Sequence, residues 1–247
     1  KLVDMRDFKQ YVYIAERICG ICSCGHGLGY CMAVENVMNI EVPERAQYLR
    51  VIWVEMSRIH SHLLWLGLLA DALGFESLFM ESWRVREKIL DMFDETTGGR
   101  IIHSVNQVGG VQKDMDSDML KHLLDTIKDI ERDIRPLVST FLQDYTVQSR
   151  LKGTGVLKKE DAIFLGAVGP MLRASGVEYD ARVLGYGAYK HLSVEPIIST
   201  EGDSYGRCEV RLKELFQSFD LIREAVGKLP EGEINVPVKG NPKGEYF

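Results

Sequence analysis

Between Glu44 and Leu73 the apolar residues Leu49, Ile52, Trp53, Met56, Ile59, Leu63 and Leu66 recur in steps of three and four. That spacing lines one face of a single long α-helix, and no other regular structure satisfies it. Pro43 suits the first turn, where a fixed φ and a missing N–H cost nothing. Gly74 marks the stop. The rest of the chain punctuates in the same way. Residues 7–18 and 27–39 read as helices entering and leaving a cysteine-bearing loop. A further helix is expected over 76–95, ended by Gly98 and Gly99. Another runs from about 117 to 142, with Leu120, Leu124, Ile127, Ile130, Ile134, Leu137 and Phe141 on one stripe and Pro136 set to kink or divide it. Residues 208–226 form a last amphipathic helix. From 147 to 206 glycine, serine and tyrosine are frequent and helical periodicity fades, so loops, short helices and short strands are expected there. The fold class expected is mainly α: a long-helix bundle core with a smaller loop-rich or α+β segment at about 147–206. Such a bundle can build a metal site from facing side chains. The whole of residues 1–247 is read as one domain, incomplete at both ends.

The chain has 45% apolar and 27% charged residues, the balance of an ordered globular protein. A net charge of −6 lacks the basic footprint of a nucleic-acid binder. The longest apolar run, Leu63–Ala70, is far short of the roughly 18 residues that a membrane span needs. Five cysteines occur, and four of them fall between Cys19 and Cys31. An odd, clustered count does not suit a secreted disulfide framework. In a reducing compartment such thiols more often bind metal or do chemistry.

The cluster reads Glu16-Arg17-Ile18-Cys19-Gly20-Ile21-Cys22-Ser23-Cys24-Gly25-His26. Two cysteines two residues apart can turn both thiolates toward one soft metal, with Gly20 expected to supply the turn. A helix opening at this point would lower thiol pKa values through its dipole. His26 follows Cys22 by one helical turn on the same face, placed for hydrogen bonding or proton relay. Arg17 is expected to set a permanent cation beside the sulfurs. Three readings remain open on these residues alone: a metal half-site, a redox dithiol, and structural thiols. Zinc would need four ligands, and no second CxxC or HxxxH occurs. The dithiol reading expects a βαβ context, whereas these flanks are helical.

The segment Arg17–His26 fits RxCGxCxxxH, which resembles the N-terminal metal motif of nickel–iron hydrogenase large subunits. The stretch GYCMAVENVMNIEVPERAQYLRVIWVEMSRIHSHLLWLG is similar to the core helices shared by membrane-bound hydrogenases and the quinone-proximal subunit of respiratory complex I. GGVQKD at 109–114, GPMLRASGVEYDAR at 169–182 and EGDSYGRCEVRLKELFQS at 201–218 continue that likeness over nearly the whole chain. The resemblance is to the large subunit of membrane-bound, complex-I-related, energy-converting hydrogenases; complex I relatives lack the cysteine pair. It implies that Cys19 and Cys22 are metal ligands, with Arg17 and His26 supporting them. It implies a Ni–Fe centre whose iron carries CO and cyanide, and H₂ formed or oxidised there. It also implies a partner iron–sulfur subunit with a [4Fe–4S] cluster, ferredoxin as electron partner, membrane-embedded ion-translocating subunits, no nucleic acid, and a peripheral place on the cytoplasmic face of the membrane. The family's second cysteine pair, in a DPCxxC-type motif, does not occur here. The alternative within the same superfamily is a complex that reduces sulfur compounds or passes electrons without hydrogenase activity.

Other residues carry plainer expectations. Cys24, Cys31 and Cys208 read as packing thiols, and Trp53 and Trp65 as core. His62 reads as a satisfied histidine between helices. Asp114–Asp118 is a solvated helix start, and Asp203 with Arg207 a structural ion pair.

Overall fold

The computed structural model describes Leu2 and residues 5–245; both chain ends, Lys1 and Phe247, lie outside the described residues. The α-helices are α1 (Tyr11–Ala15), α2 (Ser23–Met38), α3 (Glu44–Ala72), α4 (Glu76–Thr97), α5 (Ser117–Gln143), α6 (Tyr145–Leu151), α7 (Lys159–Phe164), α8 (Gly169–Ala174) and α9 (Ser204–Gly227). Strands β1 (Asn106–Gln107) and β2 (Gly110–Val111) pair antiparallel, Asn106 opposite Val111. The protein is mainly α, as its periodicity requires.

All seven residues of the α3 stripe are 0% exposed. The helix stops where expected. Gly74 takes φ +82°, Phe75 N–H reaches back to the Ala70 carbonyl at 2.8 Å, and Gly74 N–H to that of Asp71 at 2.8 Å. These bonds satisfy carbonyls that the helix end would otherwise orphan. The α5 stripe is shifted from expectation. Leu123, Ile127, Ile130, Ile134, Val138 and Phe141 are the buried line, while Leu120, Leu124 and Leu137 are only half-buried. Pro136 does not divide this helix. It lies on the exposed face, where water can satisfy the carbonyl that loses its N–H partner.

The described chain separates into two compact units. The first comprises Lys1–Ser61, Glu87–Ile127 and Ile222–Phe247. Its interior is pinned by Glu35 and Arg50, both buried. Arg50 donates to Glu35 Oε2 at 2.9 Å and Oε1 at 2.6 Å, and to the Gln107 and Gly110 carbonyls, while Gly109 N–H donates to Glu35 Oε1 at 2.8 Å. Both Glu35 oxygens and both terminal nitrogens of Arg50 meet a partner, as a buried ion pair requires, while Arg50 Nε does not. Gly110 is obligatory: at φ +150° a Cβ would lie 2.1 Å from the Ile234 carbonyl oxygen. Arg45, also buried, holds Asp114 together with the carbonyls of Met115 and Pro230. Asp114 is therefore an anchor, and only the rest of the acidic run is a solvated start.

The second unit comprises His62–Arg86 and Lys128–Leu221. Within it, residues 147–206 hold the end of α6, then α7, α8 and two 3-10 turns, Ala181–Leu184 and Gly187–His191. No strand occurs there among the described residues; the one β pair sits at 106–111. Charges in this unit are buried in a network. Glu214, 0% exposed, faces His62 Nε2 at 2.9 Å and accepts from Arg173 Nε at 2.9 Å and from its Nη2. Arg182 pairs with Asp180 at 2.8 Å and with Gln217. Burial pushes the Asp180 carboxyl up, but the bonds and charge of Arg182, with Arg173 beyond, outweigh it and hold the group well below the usual carboxylate range. Asp203 and Arg207 are not paired with each other. Asp203 accepts from Gly153 and Gly206 N–H, and Arg207 donates to the Gly155 and Gly202 carbonyls, so both staple loops. Trp53 is core as expected, 0% exposed, whereas Trp65 is half-buried beneath the Arg211 guanidinium, 4.8 Å from its ring.

Candidate metal centre

The cysteine loop lies between two helical pieces of the first unit. The helix expected over 7–18 is broken in two: α1 ends at Ala15, and Glu16–Ile18 tightens into a 3-10 turn. Cys19 is extended, φ −148° and ψ 125°. Cys22 is the N-cap of α2, and His26 N–H bonds to its carbonyl at 3.1 Å. The exit helix therefore begins at Ser23, four residues earlier than the sequence suggests. Gly20 does not supply a left-handed turn, since its φ is not positive. Its place on the surface faces Ile101 instead, which a Cβ at position 20 would meet at an ordinary 3.5 Å.

The segment after α4 supports the loop. Ser23 Oγ donates to the Ile101 carbonyl at 2.6 Å, Ser104 N–H donates to Glu16 Oε2 at 2.7 Å, and Asn106 Nδ2 reaches the Cys24 carbonyl at 3.3 Å and its sulfur at 3.6 Å. These partners lie 78 to 88 residues from the cysteine loop in sequence. His103 of the same segment is buried and stacks on Phe93, ring centroids 3.8 Å apart, with Nδ1 3.0 Å from the Gly99 carbonyl. Burial pushes the imidazole pKa down, against the opposing effect of that carbonyl. The unfolded chain then takes up a proton first as pH falls. His103 thus adds stability that is present above the usual imidazole value of about 6.5 and drains away as pH drops through it toward the lowered value. Urea midpoints for His103→Gln are expected to fall less steeply between about pH 7.5 and 5 than those of the parent protein. An unchanged slope would show that His103 has no part in the acid response.

The sulfurs of Cys19 and Cys22 and a ring nitrogen of His26 all lie within 4.8 Å of one another. Cys22 is exposed, while Cys19 and His26 are partly so. The two thiols are unequal. Hydrogen bonds from Cys22, through its side chain and its N–H at 3.4 Å, pull the Cys19 pKa down; burial and the facing Cys19 push Cys22 up to about 11. The helix start thus favours one thiolate rather than both. Arg17 is exposed and donates to the Tyr13 carbonyl rather than to either sulfur. Cys24, Cys31 and Cys208 are buried, each with its thiol pushed up to about 12 by burial, and none joins the group. They pack as neutral thiols.

Two thiols and an imidazole converging at an accessible helix start form a soft donor set. The donor set is of the kind that can hold a soft metal ion. Ile18, Ile21 and Ile101 near it are exposed apolar side chains. Sequence reasoning assigns no role to Glu16, although it stands within the cysteine motif, because what defines it is burial against Ser104 and Gly27.

Residues 72–243 match the family model described as respiratory-chain NADH dehydrogenase, 49 Kd subunit, and residues 1–78 match that of nickel-dependent hydrogenase. The chain is 39% identical to the membrane-bound hydrogenase subunit alpha of Pyrococcus furiosus, over 96% of this chain and 57% of that protein. It is 36% identical to an NADH-quinone oxidoreductase subunit from Phocaeicola vulgatus, over 100% of this chain and 48% of the relative. Among solved structures, a chain of the membrane-bound sulfane sulfur reductase, an archaeal respiratory membrane complex, superposes with a TM-score of 0.90 at 32% identity, over 94% of this chain and 63% of that one. The chain thus spans about half the length of the curated relatives it matches. No helix among the described residues is long and apolar enough to cross a membrane.

Proposed function

This chain belongs to the oxidoreductase superfamily that joins the respiratory-chain NADH dehydrogenase 49 Kd subunit to the nickel-dependent hydrogenases, and on that premise we propose that it is the metal-binding core of a hydrogenase large subunit, forming or oxidising H₂ within a membrane-associated complex. The observation that carries this reading is the convergence of Cys19, Cys22 and His26 within 4.8 Å. A nickel–iron centre with CO and cyanide on its iron, when bound, supplies the Lewis-acid and redox chemistry for cleaving or making H–H. Cys19 and Cys22 hold the chain's share of it as thiolates, and His26 sits where it can donate a hydrogen bond to sulfur or carry a proton away. Arg17 adds positive charge at the mouth of the loop. Two further donors come from outside the five cysteines of this chain. An iron–sulfur small subunit, ferredoxin and membrane-embedded ion-translocating subunits complete the proposed assembly.

A second reading is favoured by the likeness to the sulfane sulfur reductase chain and by the single CxxC: reduction of sulfur compounds, with Cys19 and Cys22 cycling as a dithiol. One preparation separates the two. In the native complex, nickel stoichiometric with this chain and infrared bands of CO and cyanide are expected, together with H₂/D⁺ exchange. A complex with neither nickel nor those bands, whose cysteine pair oxidises and reduces with a sulfur substrate, would establish the second reading instead.

A further inference from the structure

Glu16 stands just before the cysteine loop and is not among the converging donors. Its side chain is 0% exposed. Oε2 accepts from Ser104 N–H at 2.7 Å and from Ser104 Oγ at 3.3 Å. Oε1 is buried with no hydrogen-bond partner. It lies against the bare Cα of Gly27: a Cβ at that position would come within 2.7 Å of Oε1 and 2.9 Å of Glu16 Cγ. Gly27 directly follows His26, whose ring belongs to the half-site. The unpartnered oxygen therefore faces the turn of α2 that presents the imidazole.

The groups around this carboxyl offer it no buried cation. On its own turn Arg17 is exposed and turned to the Tyr13 carbonyl. From α2 come Cys24 and Cys31, both buried thiols, and from the segment after α4 come Ser104 and the amide of Asn106. Arg50, a buried cation of α3, is clamped by Glu35. A charged carboxylate with one oxygen unmatched is strongly disfavoured in such a place, whereas a neutral acid with its proton on Oε1 is not. Burial accordingly raises the Glu16 pKa, in opposition to the Ser104 bonds and the charge of Arg17.

Building on the hydrogen chemistry proposed above, we propose that Glu16 is a relay carboxyl of the half-site: it stands protonated on Oε1 and exchanges that proton with the His26 end of the cluster. The O–H bond at Oε1 breaks and an N–H or S–H bond forms on the recipient; no electrons change hands. The carboxylate left behind is held by the two Ser104 donors until a proton returns. Ser104 and Gly27 are its fittings: one stabilises the ionised form, the other leaves it room.

The test uses the native complex and its Glu16→Gln variant, which keeps an acceptor for Ser104 but cannot titrate. The parent protein at neutral pH is expected to show a protonated-carboxyl infrared band that shifts in D₂O and is missing in Glu16→Gln. Nickel content should be equal in the two, with H₂/D⁺ exchange at least tenfold slower in the variant. No such band, or an unchanged exchange rate, overturns the relay. Should Glu16→Gln fail to assemble, Gly27→Ala takes its place, since the added methyl must push the carboxyl aside; the band is expected to move and exchange to slow, and no change in either rejects the assignment. A nickel-free parent complex defeats the hydrogenase reading and the relay with it, whereas nickel present with no carboxyl band defeats the relay alone.

Discussion

The Cys22→Ser variant is expected to fold like the parent protein and to carry no nickel. The two halves of that result have separate causes. In the proposed centre the thiolate is the metal ligand, and a serine hydroxyl is not an anion at neutral pH, so the chain's grip on a soft metal should fail when either sulfur of the pair is replaced. Cys22 is exposed and Cys19 only partly covered, so neither packs the core. Substitutions at such positions typically shift stability within about 0.5 kcal/mol. Cys24→Ser, only two residues on, should do the reverse. That sulfur is 0% exposed beside Asn106, and a hydroxyl there costs about 1–3 kcal/mol while leaving the nickel in place. Metal analysis with urea denaturation of the parent protein and the Cys19→Ser, Cys22→Ser and Cys24→Ser variants gives the pattern. Nickel retained in both Cys19→Ser and Cys22→Ser would remove these residues from the site.

The second large effect is structural and lies in the other unit. Glu214→Ala is expected to lower stability by roughly 3–5 kcal/mol, because it leaves Arg173 buried without its main counter-ion. Asp180, 3.6 Å from Arg173 and already bound to Arg182, cannot replace the two contacts that Glu214 makes with this guanidinium. His62 loses its Nε2 partner in the same step. Removing both charges together is expected to recover much of the loss, since an apolar pair of similar volume needs no counter-ion. Arg173→Met combined with Glu214→Leu should therefore be more stable than Glu214→Ala alone. Denaturant midpoints read both. A Glu214→Ala loss below about 1 kcal/mol would mean that water reaches this network and screens it.

How much is legible differs from element to element. The α3 stripe is readable residue by residue, because a helix buried along one face repeats the same demand every three or four positions. On α5 the same logic holds in period but slips in phase: Leu120 and Leu124 are half-buried, while Leu123 and Val138 are buried. Leucines on both flanks of the stripe leave the sequence without a unique face. Of the two outcomes expected at Pro136, division does not occur, because a proline is tolerated where its carbonyl partner can turn to water. Gly20 takes no positive φ, so the bend between the two cysteines does not use the left-handed region. The helix start is expected to lower thiol pKa values, and it does so for Cys19 but not for Cys22, since one N–H and one S–H can serve only one sulfur at a time.

What the sequence determined by itself is whatever depends on neighbours along the chain: the long helices, the stop at Gly74, and a cysteine pair with a histidine one turn beyond. Those follow from backbone sterics and helical period, which act over a few residues. The tertiary structure alone decided which polar groups are buried and with whom. Ser104 meets Glu16 across 88 residues of sequence, Gly109 meets Glu35 across 74, and Glu214 meets His62 across 152. Each of these contacts exists because a charge or an N–H shut away from water must find a partner wherever the fold brings one. No local pattern records that choice, and the unpartnered Oε1 of Glu16 follows from its burial against Ser104 and Gly27, which the fold alone brings to it.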